Sequence, residues 1–286
     1  MRNDRGALAV HDHGGEGSPL LLLHGAGRTL ADWAAVAPML VRRHRVLAVD
    51  LRGHGLSPSG AWSVPARRGA LACGLKEHGI PDALPVGHCV GGVLAVLYAL
   101  EHPDVTPGAV NLDGFGWGRP GPDGDPGSEE DPALAASGRP LPADGLKELL
   151  ALQRTLSERL GIPYELLEAG VRRATHDGPD GRLALRPERA QVREMRAAID
   201  SLDLFGLLRR TTRPLLLGRA LRTAPPIPGM DWSCAPTAAG ARDIERELAE
   251  LAEYRAELTV TGIDATHAML LENPRAVADA VLRFAA

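Results

Sequence analysis

"PVGHCVGG", residues 85–92, sets a cysteine between two glycines, directly after a short apolar run and directly before a helical one. Residues 83–87, "ALPVG", read as a strand, and 89–103, "CVGGVLAVLYALEHP", read as a helix stopped by Pro103. Gly87-His88-Cys89-Val90-Gly91 is therefore G-x-C-x-G on a strand-to-helix turn. A turn this tight leaves no room for side chains beside its strained central residue, so glycines flank it. The turn also puts the thiol at a helix N-terminus, where the macrodipole favours thiolate. Cysteine is often only a small core residue. With both glycines and both flanking elements present, Cys89 reads as a candidate nucleophile, standing where serine is usual.

Outward from this turn, short β-rich runs alternate with helical stretches. "PLLLL" (19–23) is a buried strand ending in "HGAG", and 29–43 reads as a helix. "RVLAVD" (45–50) is a strand followed by the glycine-broken loop "LRGHGLSPSG", a helical stretch covers about 61–78, and "GAVNLD" (108–113) is another strand. Such alternation implies a parallel sheet with helices on both faces. The rhythm breaks at 118–145, a Pro/Gly/Asp-rich stretch too long for a simple connection. Helical patterns without strands follow at about 144–160, 163–175 and 187–200. The sheet pattern resumes with "RPLLLG" (213–218), a helix over about 240–255, "ELTVTG" and a last helix from Pro274. The simplest organisation is one α/β core, residues 1–113 and 211–286, carrying a helical insertion at 114–210.

A thiol nucleophile needs a base, and the base an orienting acid. Of ten histidines, His267 in "GIDATHAMLLENP" follows the last strand and precedes the last helix, so it emerges at the same sheet edge as Cys89. Asp113 ends the strand after the nucleophile helix and leads as the acid, giving the chain order Cys89, Asp113, His267. Asp264 and Asp231 compete, although Asp264 lies so near His267 that it reads as serving its own loop. Amide N–H groups of Ala26, in "HGAG", and Val90 would hold a developing oxyanion. Phe115 and Trp117, with Met269 and Leu270, are placed to line the pocket, although core packing explains them equally well. Cys73 reads as core and Cys234 as a loop residue; neither has a histidine or acid placed to activate it.

Composition narrows the setting. The 286 residues carry a net charge of -4 with no Lys/Arg cluster, which argues against nucleic acid or an acidic membrane surface as partner. The first 17 residues have no apolar secretion core, and no apolar run approaches the ~20 residues of a membrane span. Three scattered cysteines make neither a disulfide framework nor a CxxC metal site, so a reducing cytoplasm is the default expectation.

"LLLLHGAG", "VLAVDLRGHGLSP", "PVGHCVGG" and "DATHAMLLENP", in this order and spacing, resemble the α/β-hydrolase fold superfamily over about residues 6–286. The resemblance implies a mostly parallel sheet of eight strands, an insertion forming a helical cap (lid) over the active site, and no metal or organic cofactor. Two features depart from the usual pattern. The nucleophile is cysteine, as in dienelactone hydrolases and some thioesterases that release products of biosynthetic assembly lines. The stretch after "RPLLLG" is "RALRTAPP", where many members carry the acid; its absence there puts the weight on Asp113. The expected activity is a hydrolase or acyltransferase that attacks an ester, thioester or lactone through an acyl-cysteine. Its partner is a small-molecule acyl substrate, free or bound to a carrier or CoA. A cofactor-free lyase or isomerase, or a non-catalytic binding protein on the same scaffold, are the rival readings.

Overall fold

The computed structural model describes residues 7–60, 71, 75, 77–115, 140–178, 181–224 and 238–286. Apolar runs bounded by glycine and proline form the strands of one sheet: β1 (Val10–Gly14), β2 (Pro19–Leu23), β3 (Arg45–Val49), β4 (Leu84–His88) and β5 (Ala109–Leu112) in the first part of the chain, β8 (Leu215–Ala220) and β9 (Leu258–Ile263) in the last. The order is β1-β3-β2-β4-β5-β8-β9. β1 runs antiparallel to β3, and every other pair is parallel. The sheet has seven strands among the described residues, not the eight expected. Its first edge is β1, "VHDHG", whose exposed His11 and Asp12 make it too polar to template a further neighbour.

The strands from β2 to β5 are almost wholly buried, as both faces of a parallel sheet must be. On one face α2 (Val90–Glu101) buries Val90, Val93, Leu94 and Leu97 against Leu21, Leu23, Val49 and Leu217. On the other, Trp33, Leu40 and α9 (Pro274–Phe284) pack on Leu20, Leu22, Val46 and Val110. The helix expected over 29–43 is instead a 3₁₀ turn, Leu30–Trp33, followed by the short α1 (Ala37–Leu40). Pro38 lacks the N–H that a continuous helix would need, so the chain restarts there.

Residues 140–210 depart from the all-helical expectation. They hold α3 (Gly145–Leu160), α4 (Tyr164–Ala174), a small hairpin of β6 (Thr175–Asp177) and β7 (Leu183–Leu185), α5 (Arg189–Asp200) and α6 (Leu204–Arg210). Their polar side chains reach the loop after β3. Arg173 Nε lies 2.9 Å from the Asp50 carboxylate, Arg186 donates to the Ser57 carbonyl at 2.6 Å, and Gln191 donates to the Gly60 carbonyl at 2.9 Å. That loop leaves the C-terminal edge of the parallel strands, so these contacts fall at the edge where β4, β5 and β9 end. The core closes with α7 (Ala238–Tyr254) and the one-turn α8 (Met269–Glu272).

Candidate active site

At the end of β4 the chain turns directly into α2, and Cys89 sits on the turn with φ 55° and ψ -122°. The glycines around it are sterically required. A Cβ at Gly87 would lie 2.0 Å from the Gly91 carbonyl oxygen, and one at Gly91 would lie 2.4 Å from that of Leu23. Among the described residues, only Cys89 and Asp113 are non-glycine residues with positive φ. Such strain persists only where the surroundings enforce it, and it gathers at functional sites. Asp113 follows β5 with φ 54°, a conformation that aspartate tolerates better than most residues. Its N–H donates to the Gly218 carbonyl at 2.7 Å, which fixes the turn against β8.

The two strained residues meet on one histidine. His267 Nδ1 donates to Asp113 Oδ2 at 2.7 Å, and the other Asp113 oxygen accepts the Ala220 N–H at 3.0 Å. The Cys89 side chain is a second hydrogen-bond partner of the His267 ring. All three side chains are nine-tenths buried or more. Burial alone would push His267 down, but the negative charge of Cys89 and the Asp113 hydrogen bond push it up to about 10. Burial would likewise push Asp113 up; the His267 hydrogen bond and charge, with the Ala220 amide, outweigh this and hold it below the usual carboxylate value. The arrangement sets a thiol beside an imidazole that a carboxylate orients, a combination whose chemistry includes attack on an electrophilic carbon and proton transfer to a leaving group.

Ala26 and Val90 flank this pair. Val90 begins α2, where the first N–H groups have no intrahelical acceptor, and neither the Ala26 nor the Val90 amide has an acceptor among the described residues. Two histidines to which sequence reasoning assigned no task brace the Ala26 loop. His24 Nδ1 donates to the Gly25 carbonyl at 2.7 Å while its Nε2 accepts the Leu51 N–H at 2.9 Å. His54 Nε2 accepts the Gly27 N–H at 3.2 Å. Both sit inside motifs of recognisable pattern, "HGAG" and "RGHG", and that was the available signal. The Ala220 amide gave none, because a backbone donor leaves no trace in residue identity.

The other expected residues are placed as follows. Phe115 is buried in the same apolar cluster as Cys89 and Val90, while Met269 and Leu270 are buried with Trp33 on the opposite face of the sheet. Asp264 is exposed and pairs with Arg222 at 3.1 Å. Trp117, Cys73, Asp231, Cys234 and the helix expected over much of 61–78 lie outside the described residues. Among the described residues no cluster of three His, Cys, Asp or Glu side chains could hold a metal ion, and no helix is long and apolar enough to cross a membrane.

The sequence profile of the Alpha/beta hydrolase family matches residues 20–280. The chain is 33% identical over 224 residues to a pimeloyl-[acyl-carrier protein] methyl ester esterase of Methylococcus capsulatus, an alignment covering 74% of this chain and 79% of the relative. It is 38% identical to a fluoroacetate dehalogenase of a Burkholderia species, over only 35% of either chain. Among solved structures, E-2-(acetamidomethylene)succinate hydrolase superposes with a TM-score of 0.71, covering 97% of this chain and 94% of that one at 23% identity. At that identity the likeness speaks for the fold alone.

Proposed function

The chain belongs to the alpha/beta hydrolase family, and from that premise we propose that it is a hydrolase acting on an ester, thioester or lactone through an acyl-cysteine formed on Cys89. The observation that carries this reading is the hydrogen-bonded line Cys89–His267–Asp113, with its two ends on strained backbone. The Cys89 thiolate attacks the acyl carbonyl. The carbonyl π electrons move to oxygen, where the Ala26 and Val90 N–H groups receive the charge, a contribution commonly worth about 3 kcal/mol per donor. The C–S bond forms, the bond to the leaving oxygen or sulfur breaks, and His267 gives that atom its proton. Water then attacks the acyl-cysteine, His267 takes the water's proton, and the thiolate leaves with the Cys–acyl bond electrons. An alcohol or amine in place of water would make the same intermediate an acyl donor.

Asp113 keeps His267 in the tautomer and orientation that both steps need. Residues 140–210 act as a cap whose inner face selects the acyl group, a role supported by their position on the edge where Cys89, Asp113 and His267 emerge. The named activity of the Methylococcus relative supports an acyl ester carried on a protein as one substrate class. The test is turnover of short- and medium-chain p-nitrophenyl esters and acyl thioesters by wild type, Cys89→Ala and His267→Ala. Loss of turnover in both variants is the expected result. Turnover by Cys89→Ala at the wild-type rate would remove the nucleophile and with it the mechanism.

A further inference from the structure

His88, the residue before Cys89, is a buried titratable side chain that the chemistry above leaves unused. Its Nε2 lies 2.8 Å from the carbonyl oxygen of His267, a residue 179 positions away in sequence. A carbonyl only accepts, so Nε2 carries the hydrogen and Nδ1 carries the lone pair. The two imidazole rings lie 4.6 Å apart, centroid to centroid, inclined at 42°. We propose that His88 is a positioning residue, which ties the nucleophile turn to the histidine loop and so holds the His267 ring in reach of Cys89. The proposal rests on the reading of Cys89 and His267 as the reacting pair.

The surroundings of His88 fit this task better than they fit mere packing. The ring is 5% exposed, and its Nδ1 has no hydrogen-bond partner among the described residues. That atom faces Gly25: a Cβ built there would lie 3.3 Å from Nδ1 and 3.1 Å from the Cys89 Cβ. Gly25 thus lets the loop bearing Ala26 close over His88 and Cys89 together. A protonated His88 would turn Nδ1 into a donor without an acceptor and set a second cation beside the His267 imidazolium. Burial, and then the His267 charge, push His88 down to about 4, so it stays neutral and leaves the positive charge on His267. The charged groups facing it are His267, Cys89, Asp113 and Asp32.

The other flank of His267 is held separately. Glu272 accepts the Thr266 N–H at 3.2 Å and the Thr266 hydroxyl, and Arg222 donates to Glu272 at 2.6 Å. This anchor holds the chain just before His267, and His88 holds the carbonyl of His267 itself. Removing the His88 donor frees that carbonyl while leaving Asp113 and Cys89 untouched.

The experiment reads the Cys89 thiolate directly, without a substrate. The ultraviolet thiolate absorbance of wild type minus that of Cys89→Ala is titrated against pH, and the titration is repeated in the His88→Met and His88→Gln backgrounds. Glutamine places an amide donor near the ring Nε2; methionine fills similar space without a donor. Methionine is expected to raise the thiolate midpoint by about one pH unit, the displacement produced by a tenfold weaker ion pair, and glutamine to restore it to near the wild-type value. Turnover of a p-nitrophenyl ester should fall with the same ranking, by about 10- to 100-fold for methionine. If methionine prevents folding, His88→Asn replaces it, an amide one methylene too short to reach the His267 carbonyl. A methionine midpoint equal to wild type, or a glutamine midpoint displaced as far as methionine's, overturns the proposal. A wild-type midpoint at the free-thiol value of about 8.5 would instead overturn the underlying Cys89–His267 reading.

Discussion

Cys89 and Asp113 are both held in backbone conformations that most residues avoid, and both point their polar atoms at His267. Each contact depends on charge. Asp113→Asn would present an amide that can also donate, so His267 would turn or change tautomer. We expect kcat to fall by about 100- to 10,000-fold with the thermal midpoint little changed; kcat within threefold of wild type would show that another carboxylate orients the histidine. The protonation of His267 can be followed by NMR of its ring. Its folded value is raised from 6.5 to about 10, so the imidazolium persists through neutral pH and is lost only as pH rises through about 10. In Cys89→Ala the largest favourable charge is gone, and the titration should move down. A wild-type His267 that titrates near 6.5 would contradict the ion pair.

At the scale of elements, α4 is fastened to the end of β3 by a charge placed where water does not reach. The Asp50 side chain is fully buried, and its oxygens accept the Leu30 and Leu56 N–H groups as well as Arg173 from α4. Arg173→Met would leave that carboxylate without its cation. Arg173 is a quarter exposed, so the full cost of a buried broken pair is discounted to about 2 kcal/mol, read as a lower urea midpoint; an unchanged midpoint would show that the latch adds nothing. Sequence patterns revealed the elements with strong periodicity or punctuation: β2 to β5, α2, α3 and the turn between β4 and α2. They did not reveal β1, whose polar residues hide an edge strand that is recognised only by its pairing with β3. Nor did they reveal β6 and β7, three residues each, too short to carry a period. Pro38 was in view, but the apolar spacing around it outweighed a break that the missing N–H enforces.

For the whole molecule, pH acts through buried histidines in opposite directions. His88 has its folded value pushed down from 6.5 to about 4, and burial lowers His24 as well. Depressed histidines cost nothing above pH 6.5, but as pH falls towards 4 the unfolded chain takes up protons that the fold refuses. His88 alone accounts for about 3 kcal/mol of lost stability across that window. Urea unfolding at pH 7 and pH 4.5 should therefore show a smaller loss for His88→Gln than for wild type; equal losses would mean that His88 is already charged in the fold. His267 runs the other way, its contribution complete below pH 6.5 and lost towards pH 10, so it plays no part in the acid window. The candidate site was legible in sequence because its residues sit at strand ends with glycines around them. Its supports, the Ala220 amide and the His88, His24 and His54 braces, depend on where distant loops meet, which no local pattern encodes. The most direct test of the account is peptide-resolved mass spectrometry of His267→Ala after brief exposure to an acyl thioester and acid quench. The acyl mass is expected on the peptide containing Cys89 and is expected to be absent from the Cys89→Ala protein. Acylation of another residue, with the Cys89 peptide unmodified while substrate is consumed, would contradict it.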